Sequence, residues 1–376
     1  MAQVEEPEKQ THLSLEKILG YAVKHGASDV HLTVGSPPAI RVDGAIRFVG
    51  DTQLNPEDTL RFLDTLCDEK KREVFLETGD MDLAHSVAGL GRFRVNIMMQ
   101  RGSVGIVMRH VKAKILDFDS LNLPPGVEKA AGIPRGLVLV TGTTGSGKST
   151  TLASMIDKIN QQRRLHIVTL EDPIEFLHMN KKSIISQREV GIDTRDFDVA
   201  LRAAMREDPD VILIGEMRDA HTFQAAMSAA ETGHLVFSTL HTTNAMLTID
   251  RILDLFPSNH QPQIRSQLAL QLKASIAQRL IPSADGKGRV PAVEVMFNSP
   301  AIAALIRDNE LKQIPNAIAG GAESGMQTFN MSLAKLIKAK LITEDEGMWN
   351  SDNPEELKMN LQGIFLSQGR GGILKR

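Results

Sequence analysis

One stretch constrains this chain more than any other: Gly142, Thr143, Thr144, Gly145, Ser146, Gly147, Lys148, Ser149 and Thr150 in unbroken order. The apolar run Gly136-Leu-Val-Leu-Val140 before it predicts a buried strand, and Leu152-Ala-Ser-Met-Ile156 after it opens a helical pattern. Strand, glycine-rich turn and helix are the context of a phosphate-binding loop. The glycines let successive backbone N–H groups face one concave anion site, and the following helix aims its positive dipole end there. In such a loop Lys148 reaches the β- and γ-phosphates, and the Ser149 hydroxyl holds Mg²⁺. ATP and Mg²⁺ are therefore the expected cofactors. A Gly/Ser loop that matches by accident would leave the flanking strand and helix unexplained.

The rest of the composition narrows the surroundings of that loop. With 376 residues, 42% hydrophobic and 24% charged, the chain has material for two or three globular domains. A formal net charge of −3 provides no global basic field for nucleic acid or an anionic membrane. One cysteine, Cys67, excludes a disulfide framework and a cysteine zinc cage, and suits a reducing cytoplasm. The opening MAQVEEPEKQ is acidic and polar, unlike a secretory signal. No apolar run approaches the ~20 residues that span a bilayer, so no direct membrane insertion is expected.

Taken in order, residues 1–10 read as a disordered tail and 11–112 as an N-terminal α/β domain. Leu15, Ile18, Leu19, Ala22 and Val23 have helical spacing, stopped near Gly26. Val30–Val34 reads as a strand, and Asp43-Gly44 between Ile40–Val42 and Ala45–Phe48 as a hairpin turn. A helix is predicted over Pro56–Leu76 with Asn55 as its cap. Next, Phe93, Val95, Ile97 and Met99 alternate along one strand, and Gly105–Arg109 returns after Arg101-Gly102-Ser103. If Arg101-Gly102 is a two-residue turn, Arg94 falls opposite Arg109. Like charges placed so repel, which suggests that an anion meets them; a solvated polar sheet face is the plainer alternative.

Residues 113–125, closing on Leu123-Pro-Pro-Gly126, read as a linker, and 126–365 as the nucleotide domain with C-terminal helices. Strands alternating with helices there predict a parallel sheet. Leu165–Leu170 delivers Glu171, Asp172 and Glu175; Val211–Ile214 delivers Gly215-Glu216; Leu235–Leu240 lies between His234 and His241. The Ala-rich stretch Ala220–Thr232, capped by Asp219, reads as the helix between the last two strands. Helical patterns follow through Leu268, Leu270, Leu272, Ile276 and Leu280, then over Met326–Lys340, before a disordered tail at 366–376.

Open α/β sheets bind ligands beyond the carboxyl ends of their strands. Lys148, Glu175, Glu216 and His241 can therefore meet one nucleotide. Gly215 stands where many P-loop enzymes place an Asp for Mg²⁺, so the metal falls to Ser149, phosphate oxygens and water, with Glu216 reaching it through water. Glu175 or Glu216 then orients the attacking water, since γ-phosphate hydrolysis is mostly positioning and charge stabilisation. His234 and His241 would lie roughly 23 Å apart on a regular strand. His241 is thus the better γ-phosphate sensor, while His234, also a candidate nucleotide contact, more readily meets a neighbouring element.

These residues closely resemble the hexameric secretion ATPases, within them the PilT/PilU-type motors of type IV pili. Four runs carry the likeness: Thr169-Leu-Glu-Asp-Pro-Ile-Glu175, Asp208-Pro-Asp-Val-Ile-Leu-Ile-Gly-Glu-Met-Arg-Asp219, Gly233-His-Leu-Val-Phe-Ser-Thr-Leu-His241 and Gly325-Met-Gln-Thr-Phe329. The resemblance implies a RecA-like P-loop ATPase domain and a smaller PAS-like N-terminal domain. It implies a cytoplasmic homohexamer, peripheral at the inner-membrane pilus base, that works on a pilus platform protein and a paralogous retraction ATPase. It also implies that Arg94 and Arg109 complete the ATP site. One cysteine and a short region before the P-loop favour retraction over extension or type II secretion assembly. Ala301–Asp308 and Ile281–Arg289 look like the accessory paralogue, Gly215–Asp219 like the principal motor, so both remain open. Two other classes are a RecA-like nucleic-acid motor and a nucleotide-binding module without turnover. Net charge and a single Tyr and Trp count against the first; Glu216 and the arginine pair count against the second.

Overall fold

The computed structural model describes residues 14–111 and 114–363, and the tails expected at 1–10 and 366–376 lie outside the described residues. Two compact units divide between Ala113 and Lys114.

The first unit runs α1 (Leu15–Lys24), β1 (Asp29–Leu32), β2 (Ala39–Val42), β3 (Ala45–Phe48), α2 (Pro56–Leu66), α3 (Glu69–Thr78), β4 (Asp80–Val87), β5 (Gly91–Gln100) and β6 (Ser103–His110). Its strands form one antiparallel sheet ordered β3-β2-β1-β6-β5-β4. Both short turns have left-handed backbone, at Asp43-Gly44 and at Arg101-Gly102, the geometry that matches hairpin twist. Phe93, Val95 and Ile97 of β5 are fully buried with Ile106 and Met108 of β6, Leu19, Phe62, Leu63 and Phe75. One sheet face is thus the core, and the alternate residues of β5 and β6 occupy the other.

Two expectations change here. The helix predicted over Pro56–Leu76 is two helices. Asn55 does cap the first, in a reciprocal pair with Asp58, but Cys67 is extended and Asp68 starts a second by accepting from the Lys71 N–H. Helix-capping geometry at Asp68 interrupts a run of apolar residues that could have continued. The strand β4 has no expectation in the sequence, because its alternation is diluted by Asp80, Asp82, His85 and Ser86.

The second unit runs α4 (Pro125–Ala131), β7 (Gly136–Thr141), α5 (Lys148–Gln162), β8 (His166–Glu171), β9 (Ile184–Glu189), α6 (Phe197–Ala204), β10 (Val211–Ile214), α7 (Ala220–Glu231), β11 (Leu235–Leu240), α8 (Ala245–Asp254) and α9 (Gln261–Gln271). It continues through β12 (Leu272–Pro282), β13 (Arg289–Phe297), α10 (Pro300–Arg307), α11 (Ile314–Gly320), α12 (Phe329–Lys338), α13 (Glu344–Trp349) and α14 (Pro354–Leu361). The sheet order is β13-β12-β7-β11-β10-β8-β9. All neighbours are parallel except β12 and β13.

Helices cover both sheet faces, which explains the continuous apolar strands. Leu137, Leu139, Ile212, Ile214 and Val236 pack toward α6 to α9. Val138, Val140, Val211, Leu213 and Phe237 pack toward α4 and α5. The stretch at 114–124 packs on this unit as well: Phe118 and Leu123 join the second cluster, and the Leu116 carbonyl accepts from the Ser154 hydroxyl at 2.6 Å. The helical pattern expected through Leu280 stops at Gln271, and Leu272–Pro282 is a strand beside β7. Leu272, Ala274, Ile276 and Ala277 are all fully buried, so no periodicity distinguishes strand from helix there.

Candidate nucleotide site

The P-loop joins β7 to α5, and its glycines meet real crowding. Gly142 and Gly147 have φ of 148° and 90°. A Cβ at Gly142 would lie 2.4 Å from the Ser146 hydroxyl oxygen. The Ser146 Oγ is buried without a hydrogen-bond partner among the described residues, an orphaned donor facing the loop. Lys148 begins α5 and folds back, its Nζ donating to the carbonyls of Gly142 at 2.8 Å and Thr143 at 3.1 Å. Burial lowers its pKa, and the nearby carboxylates of Glu216 and Glu175 oppose that fall. A phosphate would replace the two carbonyls with full negative charge. The unpartnered hydroxyl, the lysine and the helix N-terminus together fit a nucleoside polyphosphate.

A cavity of about 420 Å³ opens over this loop at the carboxyl ends of β8, β10 and β11, lined by Thr144, Gly145, Gly147, Lys148, Ser149, Thr150, Glu171, Asp172, Glu175, Glu216, Arg218 and His241 among others. Glu216 is held from two sides: its Oε2 accepts from Arg218 Nε at 2.9 Å, and its Oε1 lies 3.2 Å from His241 Nε2. The Thr239 hydroxyl donates to the Gly215 carbonyl at 2.6 Å, pinning the end of β10 to β11. A Cβ at Gly215 would sit 3.3 Å from the Leu170 carbonyl oxygen, a tight fit against β8. Glu171 is differently placed. Burial raises its pKa, and its carboxylate accepts from the Thr169 hydroxyl at 2.7 Å and Gln187 Nε2 at 3.1 Å. Its bonds serve the strand end, which leaves Asp172, Glu175 and Glu216 as the other carboxylates of the cavity wall.

His234 meets a neighbouring element, the alternative the sequence offered for it. It does not line the cavity; it precedes β11 at the opposite end from His241, with Nδ1 2.9 Å from the Ala229 carbonyl and 3.1 Å from the Thr232 hydroxyl. Those contacts close the turn between α7 and β11.

In the first unit, Arg94 of β5 pairs directly with Arg109 of β6, and Arg109 with Asp29 of β1. The buried Asp29 carboxylate accepts from Arg109 Nε at 2.8 Å and has Arg41 Nε at 3.9 Å. Its pKa is lowered: burial alone would raise it, but bonds from Ser28 and Arg109 outweigh that. The Arg94 side chain makes no hydrogen bond or ion pair among the described residues. One carboxylate therefore balances part of a three-arginine row.

Sequence reasoning missed Arg218, Phe176, His178 and Arg289 in the cavity wall. Arg218 was legible, two residues from Glu216, and Phe176 and His178 follow Glu175 closely; Arg289 reaches the cavity only through tertiary packing. His178 is half-buried, and desolvation pushes its pKa down to about 4.

Comparison with known proteins adds four findings. A family model described as type II/IV secretion system protein matches residues 5–339. The type IV pilus retraction ATPase PilT of Pseudomonas aeruginosa is 45% identical over 343 residues, covering 91% of this chain and 99% of that protein. The type IV pilus ATPase PilU of the same organism is 40% identical over 350 residues, covering 93% and 92%. A crystal structure of the pilus retraction motor PilT with bound ADP superimposes with a TM-score of 0.84 at 50% identity, covering 92% of this chain and 99% of that one.

Proposed function

The chain belongs to the type II/IV secretion system protein family, and on that premise we propose that it is an ATP-hydrolysing motor that retracts type IV pili. The observation that carries this reading is the convergence of Lys148, Glu175, Glu216 and His241 on one cavity above the P-loop. The likeness to PilT over nearly the whole of both chains supports retraction rather than pilus extension.

ATP enters with its phosphates in the loop, and Lys148 exchanges the Gly142 and Thr143 carbonyls for β- and γ-phosphate oxygens. Mg²⁺ would be held by Ser149 and would offset the charge of the phosphates; among the described residues no cluster of three His, Cys, Asp or Glu side chains is placed to hold a metal. Glu216, already oriented by Arg218 and His241, aligns the attacking water, with Glu175 beside it. His241 registers the γ-phosphate through the same contact. Arg94 and Arg109, presented on one sheet face, approach a phosphate from a neighbouring subunit of a homohexamer. The motor works in the cytoplasm at the inner-membrane pilus base, on a platform protein and alongside a paralogous retraction ATPase. Among the described residues no helix is long and apolar enough to cross a membrane, so that attachment goes through the platform.

ATP turnover by the purified protein tests the chemistry. The expected result is hydrolysis that stops with a Mg²⁺ chelator and does not respond to added DNA. Strong stimulation by DNA would favour a nucleic-acid motor instead.

A further inference from the structure

Gln278 lies in the middle of β12, 132 residues beyond Ser146, and no step above uses it. Its side chain is only 3% exposed, and both ends of its amide are engaged. Nε2 donates to the Ser146 carbonyl at 2.7 Å, and Oε1 accepts from the Thr151 hydroxyl at 2.7 Å. One amide thus bridges the loop and the first turn of α5. The glycines press on the same residue. A Cβ at Gly147 would lie 2.7 Å from Gln278 Nε2, and one at Gly142 would lie 2.5 Å from the Gln278 carbonyl oxygen.

The consequence follows from peptide geometry. In a trans peptide the C=O and N–H point in opposite directions. With the Ser146 carbonyl held against β12, the N–H of the same peptide, belonging to Gly147, faces away from the strand. Gly147 lines the cavity where phosphates bind. Without the Gln278 bond this peptide is free to rotate and turn its carbonyl toward the anion. An apolar side chain of similar size would fill the space with less desolvation, so the amide earns its place only through these bonds.

We propose that Gln278 is a positioning residue for the nucleotide, holding the Ser146 carbonyl so that the Gly147 N–H aims at the phosphate. This rests on the reading that the P-loop binds a nucleoside polyphosphate. The test uses the full-length protein with Gln278→Leu and Gln278→Glu. The second keeps an acceptor for Thr151 and loses the donor to Ser146. A fluorescent ADP analogue with Mg²⁺, the KM and kcat for ATP, and the nucleotide-free unfolding temperature are measured together. Loss of one buried, oriented hydrogen bond predicts about a tenfold weaker ADP affinity and a matching rise in KM, with a smaller change in kcat. Both variants should show it; if Gln278→Leu does not fold, Gln278→Glu decides alone. ADP affinity and KM within about twofold of the unaltered protein, even with a lower unfolding temperature, would overturn the proposal and leave Gln278 a packing residue. If the unaltered protein itself fails to bind ADP, the P-loop reading fails and the proposal falls with it.

Discussion

His241 and Glu216 meet across the carboxyl ends of two neighbouring parallel strands, Nε2 to Oε1 at 3.2 Å. The other carboxylate oxygen is held by Arg218 at 2.9 Å. A carboxylate gripped at both oxygens is oriented before any substrate arrives, which is how a protein lowers the entropic part of a barrier. Glu216→Gln should therefore leave ATP binding nearly intact and cut kcat by roughly a hundredfold or more. Single-turnover rates for Glu216→Gln and Glu175→Gln check this. The pattern in Glu175→Gln alone would exchange the two roles.

Lys148 carries the fixed positive charge of the loop. Lys148→Ala should abolish detectable turnover and weaken nucleotide binding by roughly a hundredfold, because it removes the cation whose Nζ already reaches the Gly142 and Thr143 carbonyls of the loop. Equilibrium binding of a labelled ADP, beside a steady-state assay, measures both. Near-normal turnover would remove the P-loop from the mechanism.

Arg94 and Arg109 face each other in the first unit, and Asp29 balances only part of the row. Arg94→Ala should keep the fold, since its side chain has no partner among the described residues, and should lose roughly 10³-fold in kcat if it serves as a finger in trans. Mixing Arg94→Ala with Lys148→Ala subunits should then restore some activity, because a mixed interface can carry both intact groups. Mass measurement must first show that mixed oligomers form. Formed but inactive at every ratio, they would count against a site shared in this way.

Glu294 on β13 is buried and accepts from the Ala245 N–H at 2.7 Å, at the start of the helix that follows His241. Burial pushes its pKa up from 4.5 to about 7, with Asp352 adding to the rise while the Ala245 bond and Arg279 oppose it. Between those values the folded state keeps a proton that the unfolded chain has released. Its contribution to stability therefore falls as pH rises through this window. Glu294→Gln keeps the acceptor and cannot ionise, so it should flatten that slope and gain up to about 3 kcal/mol above neutral pH. Denaturant unfolding at about pH 5 and about pH 8 reads the difference. Equal slopes in both proteins would mean that Glu294 is ionised throughout.

Much of this was legible in the sequence because the decisive features are local. The P-loop, the three strand ends and the Arg101-Gly102 turn each lie within a few residues, and strands buried on both faces announce themselves as apolar runs. Opposed arginines followed directly from turn length. Long-range features were not legible. Gln278 meets Ser146 from a segment whose uniform burial hides its period, and that segment reads as helix until β7 is seen beside it. The break at Cys67-Asp68 depended on one cap outweighing a continuing apolar pattern. His234 has a nearly symmetrical sequence setting to His241, and only the strand direction separates their fates.

Pilus retraction itself, watched in cells whose own retraction motors are deleted and replaced by this protein alone, tests the central claim most directly. Fluorescently labelled pili should shorten at frequencies well above those of cells carrying Lys148→Ala. If the protein is present at normal levels, hydrolyses ATP when purified, and pili still extend without shortening, the account of this chain as a retraction motor is contradicted.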